Sequence, residues 1–192
     1  NDPDRGLAPA DVVEAALTAF PSGTTATVDA GAHMLVTVPL WRVTQPQHIL
    51  ISSGLATMGY AIPAAVAASL VRPDGRVIAF TGDGGASMVL GELETIARLD
   101  LPVTVVVFND SLLSLIAVKQ NAQGHGGPGV ITYRETDFAA IARGCGLTAW
   151  RATTLEEYRE ALAQASALPG PSLIDVAVDP EPYRDIYAAL RE

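Results

Sequence analysis

Cysteine is almost missing from this 192-residue chain: Cys145 stands alone, which excludes an internal disulfide and any zinc site built on several thiolates. A lone thiol fits a reducing compartment, and the cytoplasm is the expected location. Positive charge is scarce too, with 12 Lys and Arg against 21 Asp and Glu, a net charge of −9 and a pI near 4.7. That balance disfavours nucleic acid or an anionic membrane as partner. Long hydrophobic runs are also missing. The strongest, Ala61 to Val71, is too short to span a bilayer, and the opening Asn1-Asp2-Pro3-Asp4 does not read as a signal peptide, so a soluble chain is expected. No internal repeat or low-complexity tract is present. What remains, 49% hydrophobic and 17% charged residues, suits one globular domain over residues 1–192 with its core at about 9–178.

Apolar runs rich in β-branched residues alternate with Ala/Leu-rich stretches of helical period. This predicts an α/β fold, a parallel sheet with helices on both faces. Strands are expected at 26–29, 48–52, 77–81, 103–108, 148–150 and 173–178. Helices are expected from Pro9 to about Phe20, up to about Val71, over Met88 to Leu99, and over 138–143 and 155–165. The Gln120 to Tyr133 stretch, glycine-rich and carrying His125, reads as a surface turn that could also close over a site. Arg134, Tyr158 and the acidic tail beyond Asp179 read as solvated surface.

In open parallel sheets ligands bind outside the carboxyl ends of the strands, which directs attention to the residues after Val28, Phe80 and Phe108. Gly82-Asp83-Gly84-Gly85 lies between a strand and a helix, where glycines let backbone approach an anion such as phosphate. Asp83 would repel bare phosphate, so a divalent cation between them is the consistent reading. Asp110, 27 residues on and at the end of the next strand, is the second carboxylate for it. A nicotinamide-dinucleotide fingerprint is not met: Ser87 stands where GxGxxG needs its last glycine, and no acidic residue ends a strand about 20 residues later.

GDG, a helix with Glu92-Leu93, an apolar strand and Asn109-Asp110 together resemble the cofactor signature of thiamine-diphosphate (ThDP) enzymes. Ser53 to Ala65, with Thr57-Met58-Gly59 and Pro63, is similar to the aminopyrimidine-gripping segment of the acetolactate synthase and benzaldehyde lyase-like branch. Asp29-Ala30-Gly31-Ala32-His33 resembles the DVGxH turn of that branch. His33 to Met58 and Met58 to Asp83 are both 25 residues, in the expected order. The chain is thus identified as a C-terminal pyrophosphate-type domain of such an enzyme.

The resemblance implies roles residue by residue. Asp83, Asp110 and the Leu112 carbonyl would hold Mg²⁺. Gly84 and Gly85 would give N–H groups to the diphosphate, and Ala30, Gly31, Ala32 and the His33 side chain would line it. Ala56, commonly glycine in the family, and Met58 would bind the aminopyrimidine edge, with Met58 holding the cofactor in its V shape. Asp110 departs from the usual asparagine and adds a negative charge. Glu92 reads as a structural partner. The activating glutamate belongs to a pyrimidine-binding domain for which these residues hold no match, so that domain is expected as a partner, on a separate chain or as a preceding part, in a homo-oligomer. The reaction implied is decarboxylation or carboligation of a 2-keto acid or aldehyde. Whether FAD sits on a middle domain stays open. The alternatives are the small subunit of a two-chain sulfopyruvate or phosphonopyruvate-type decarboxylase and a noncatalytic ThDP-binding module.

Overall fold

The computed structural model describes residues 6–124 and 129–190. Strands β1 (Thr25–Val28), β2 (Ile49–Ile51), β3 (Val77–Gly82), β4 (Val103–Asn109), β5 (Thr148–Ala152) and β6 (Ser172–Ala177) form one sheet. Every neighbouring pair is parallel, in the order β2-β1-β3-β4-β6-β5. The chain leaves β1 outward to β2 and returns past it to β3, so a topological switch point falls between β1 and β3, where the carboxyl ends of open sheets bind ligands.

β3 and β4 read as unbroken apolar runs because both of their faces are covered. Successive side chains enter opposite layers. Ile78, Phe80, Val106 and Phe108 pack with α1 (Pro9–Ala19), α2 (Met34–Leu40) and α8 (Leu155–Ala167). Val77, Ala79, Val103, Val105 and Val107 pack with α3 (Ala61–Val71), α5 (Gly91–Arg98) and α7 (Phe138–Gly144) on the other face. Each fully buried Val, Ile or Phe among these contributes roughly 1.5–3 kcal/mol, so these two strands anchor the fold and fix where their ends point. The helix ends follow local chemistry. Pro9 opens α1, and α8 starts in a capping box in which Thr154 accepts from the Glu157 N–H and the Glu157 carboxylate accepts from the Thr154 N–H. No helix among the described residues is long and apolar enough to cross a membrane.

Several expectations need correction. The helix read from Met88 to Leu99 is the shorter α5, which starts only at Gly91, and ahead of it an unexpected α4 (Asp83–Met88) begins inside the GDGG turn, the two being separated at Val89-Leu90. Tertiary contacts override glycine's poor helix propensity there, because Gly84 and Gly85 are pressed against other elements. Helices α2, α6 (Ser114–Ala122) and α9 (Pro182–Ala189) were not expected. The first carries β-branched residues and an internal Pro39, which hide its helical character, yet it buries Val36 and Thr37. Residues 120–122 of the expected turn are the end of α6, and His125 lies outside the described residues.

Tyr158 and the tail are not simply solvated surface. Tyr158 and Tyr183 are buried, and Leu7, bridged in parallel to Val178, and Tyr183 carry the core past its expected limits of about 9–178. Tyr158 fills the layer beneath α8, and its hydroxyl is buried without a hydrogen-bond partner. Tyr158→Phe removes that unsatisfied group and is expected to raise stability by about 1 kcal/mol, read from urea denaturation. A loss of stability would show that the hydroxyl is satisfied.

Candidate functional site

Three parallel strands deliver their carboxyl ends to one place. Asp29 follows β1, Asp83 follows β3 and Asp110 follows β4, and at these strand ends lies a cavity of about 410 Å³. All eleven residues expected to bind cofactor or metal line it, although they come from stretches of the sequence far apart. The structure also adds lining residues the sequence did not reveal, including Ser114 and Lys119 from α6 and Tyr183 and Tyr187 from α9.

Asp29 organises the floor. Its carboxylate is fully buried and accepts from the Gly59 N–H (2.9 Å), the Tyr60 N–H (2.8 Å) and the Thr81 hydroxyl (2.9 Å). One side chain therefore joins the end of β1 to the segment before α3 and to β3. Gly85 makes the approach possible, since a Cβ there would lie 2.1 Å from Asp29 Oδ2. The sequence placed Asp29 beside the site but gave it no part.

The His33 ring is buried against Phe108, with ring centres 5.4 Å apart. Gly31 leaves room for it, as a Cβ there would meet the ring at 2.6 Å. Burial pushes the imidazole pKa down to about 4, against the pull of the Asp29 charge and a hydrogen bond to the Asp29 backbone. Its Nε2 is buried with no partner.

Asp83 is 3% exposed and accepts four hydrogen bonds. Oδ1 takes the Gly84 N–H (2.6 Å) and the Tyr133 hydroxyl, and Oδ2 takes the N–H groups of Asp110 (3.2 Å) and Ser111 (2.6 Å). The Gly84 amide expected to meet a diphosphate is thus given to Asp83 here. Asp110 holds the Leu112 N–H (3.1 Å) on Oδ1 and the Ser114 hydroxyl on Oδ2. Asn109 turns the other way, donating to Asp175 (2.9 Å) and the Thr136 carbonyl (2.9 Å), so only the second residue of the pair faces the cavity. Glu92 does not line the cavity and has no ion pair among the described residues.

Burial raises the pKa of Asp83, and burial together with the Asp83 charge pushes Asp110 up to about 7. Two such carboxylates side by side favour a cation. Among the described residues no three His, Cys, Asp or Glu side chains form a metal cluster, but Mg²⁺ commonly takes one or two carboxylates and leaves its other positions to phosphate and water. No backbone N–H among the described residues donates to the Leu112 carbonyl, so a third oxygen is uncommitted. With the partnerless His33 Nε2, the residues fit a divalent cation carrying an anionic ligand. An aspartate that ionises less readily folded than unfolded contributes stability below pH about 4 that is lost as pH rises through its folded value. In chelator, Asp110→Asn is therefore expected to melt above the parent chain at pH 8 and to converge with it near pH 4; equal melting temperatures at pH 8 would show that the two carboxylates do not oppose each other.

The segment before α3 is open to solvent: Ser53 to Thr57 are exposed, and Met58 is half-buried with its methyl beside Gly84. Ala56 sits at φ +48°, left-handed backbone that favours glycine. That accounts for the residue usual at this place.

Comparison with known proteins agrees with this geometry. A family model described as thiamine pyrophosphate enzyme, C-terminal TPP binding domain, matches residues 29–176. Acetolactate synthase of Bacillus subtilis (strain 168) is 32% identical over 89% of the chain, and the large subunit of acetolactate synthase isozyme 1 of Escherichia coli (strain K12) is 33% identical over 81%. The chain covers 30% and 28% of those proteins. A thiamine diphosphate-dependent 4-hydroxybenzoylformate decarboxylase from Rhodococcus jostii RHA1 shares the fold, with a TM-score of 0.85 at 23% identity over 91% of this chain and 33% of that one.

Proposed function

Because the chain belongs to the family of thiamine pyrophosphate enzyme C-terminal, TPP-binding domains, we propose that it holds the diphosphate end of ThDP with Mg²⁺, as part of a 2-keto acid decarboxylase or carboligase resembling acetolactate synthase. The observation that carries this reading is the meeting of three separate sequence segments around one cavity with two carboxylates at its base. ThDP, when bound, supplies an electron sink for breaking or making a carbon–carbon bond beside a carbonyl.

The chain's own residues bind and orient. Asp83, Asp110 and the Leu112 carbonyl hold the cation, and Ala30 to His33 with Gly84 and Gly85 face the diphosphate. The Ala56 backbone and Met58 receive the aminopyrimidine. Asp29 does not touch the ligand in this reading; it keeps the Gly59-Tyr60 turn at its fixed height over β3.

A pyrimidine-binding domain, elsewhere in a longer protein or on another chain, completes the site, and the chain by itself turns over little or no substrate. In support, apolar side chains are left exposed there: Ile116, which lines the cavity, at 41%, and Leu55, next in sequence to the lining Ala56, at 89%. Assembly as a homo-oligomer in a cytoplasmic setting belongs to the same proposal. Calorimetric titration with ThDP, in Mg²⁺ and again in excess chelator, with NAD⁺ as control, is the test. Heat from ThDP in Mg²⁺ alone is expected. Binding of NAD⁺ with silence toward ThDP would overturn the reading.

A further inference from the structure

Each cavity carboxylate has one oxygen engaged by a side-chain hydroxyl that lies outside the three motif segments read from the sequence. Tyr133 donates to Asp83 Oδ1, and Ser114 donates to Asp110 Oδ2. The two hydroxyls arrive by different routes. Ser114 is the first residue of α6, placed by the turn in which Asp110 also takes the Leu112 N–H. Tyr133 belongs to a short clasp: Leu112 and Thr132 form an antiparallel bridge, with the Leu113 N–H on the Ile131 carbonyl (2.8 Å) and the Tyr133 N–H on the Ser111 carbonyl (3.2 Å).

The clasp uses the peptide groups flanking Leu112 and leaves the Leu112 carbonyl outside the bridge. It therefore sets that carbonyl and the Tyr133 hydroxyl in one move. A carboxylate offers about four acceptor positions, and on Asp83 all are filled. Coordination needs one of them back. The Gly84 N–H comes from the adjacent residue, so its bond closes a small, bent ring and exchanges most cheaply. An arriving diphosphate is a ready acceptor for it. That exchange opens Oδ1 on one side while Tyr133 keeps the other.

We propose that Tyr133 and Ser114 are positioning residues that preset the Asp83 and Asp110 carboxylates for a divalent cation. The inference rests on the cofactor reading above. Outer-shell partners of this kind alter metal affinity by about 10–100-fold when removed.

The test is a Mn²⁺ titration of the full chain at saturating ThDP, followed by the Mn²⁺ electron paramagnetic resonance spectrum. Tyr133→Phe and Ser114→Ala are each expected to weaken Mn²⁺ about 10–100-fold and to broaden its lines. Ser114→Thr keeps a hydroxyl and is expected to restore the parent affinity. Melting temperatures in chelator are expected to stay close to the parent's, which separates positioning from a structural role. Unchanged or tighter Mn²⁺ binding by Tyr133→Phe and Ser114→Ala would overturn the inference, and so would weakening that tracks a matching drop in melting temperature. A parent chain that takes no Mn²⁺ with ThDP present overturns the cofactor reading itself.

Discussion

Asp83→Ala is expected to abolish Mg²⁺-dependent ThDP binding, whereas Asp110→Asn keeps most of it. Asp83 does two jobs with one carboxylate: it offers charge to a cation and it gathers the N–H groups of Gly84, Asp110 and Ser111 around itself. Alanine leaves those three donors without their acceptor, at about 1–3 kcal/mol for each that stays buried. Lost affinity in that variant therefore mixes lost charge with a disordered turn. Asp83→Asn separates them, because an amide oxygen can still accept on the Asp110 and Ser111 side. We expect it to melt above Asp83→Ala, though below the parent because its amide NH2 faces the Gly84 N–H, and to bind Mg²⁺ at least about a hundredfold more weakly, since cation affinity follows ligand charge. Asp110 sits differently. Its partners, the Leu112 N–H and the Ser114 hydroxyl, can both be met by asparagine, and the change removes the like charge beside Asp83. Calorimetry on the three variants decides the matter. ThDP binding that survives in Asp83→Ala, or in the parent with excess chelator, would remove the metal from the account.

The largest stability loss is expected at Asp29 and Gly85. Asp29→Ala strips the acceptor from the N–H groups of Ala30, Gly59 and Tyr60 and from the Thr81 hydroxyl around a fully buried side chain. A loss of about 3–5 kcal/mol follows, the range for removing one member of a buried charged network. Gly85→Ala reaches the same carboxylate from the other side, by driving a Cβ to 2.1 Å from Oδ2 and 2.9 Å from Thr81 Oγ1. Neither neighbour is a flexible chain end, so the backbone has to move, at about 1–3 kcal/mol or more. Urea denaturation measures both. The two effects should not add, because both act on one network. Full additivity would mean that Asp29 and Gly85 are independent.

Those same residues show what can be read from sequence alone. The GDGG turn, the Asn109-Asp110 pair and the Ala30 to His33 turn are local: each sits at the end of a strand, GDGG and Asn109-Asp110 one crossover apart and the Ala30 to His33 turn two crossovers ahead of GDGG. The sheet was legible for the same reason, since β3 and β4 carry their burial in their composition. Tyr133 gave no such signal. It lies 50 residues from Asp83, and only the clasp on Ser111 to Leu113 brings it there. Ser114 was hidden in a stretch whose helical start is fixed by that loop. Tyr158 and Tyr183 looked like surface because their neighbours are charged, yet the helices turn both rings inward. The late start of α5 was invisible because Leu90 keeps helical spacing with Leu93 and Ile96 although it lies ahead of the helix.

The Asp29 carboxylate ties together residues 30, 31 and 52 positions away, and β4 meets β6 through Thr104 and Ser172, 68 positions apart. Parallel pairing demands such distant closures, which slow folding. The binding cavity comes into being only once β1, β3 and β4 lie side by side. A ligand that needs all three strand ends has nothing to hold before then. It can lengthen the lifetime of the native chain, and it cannot hasten its birth.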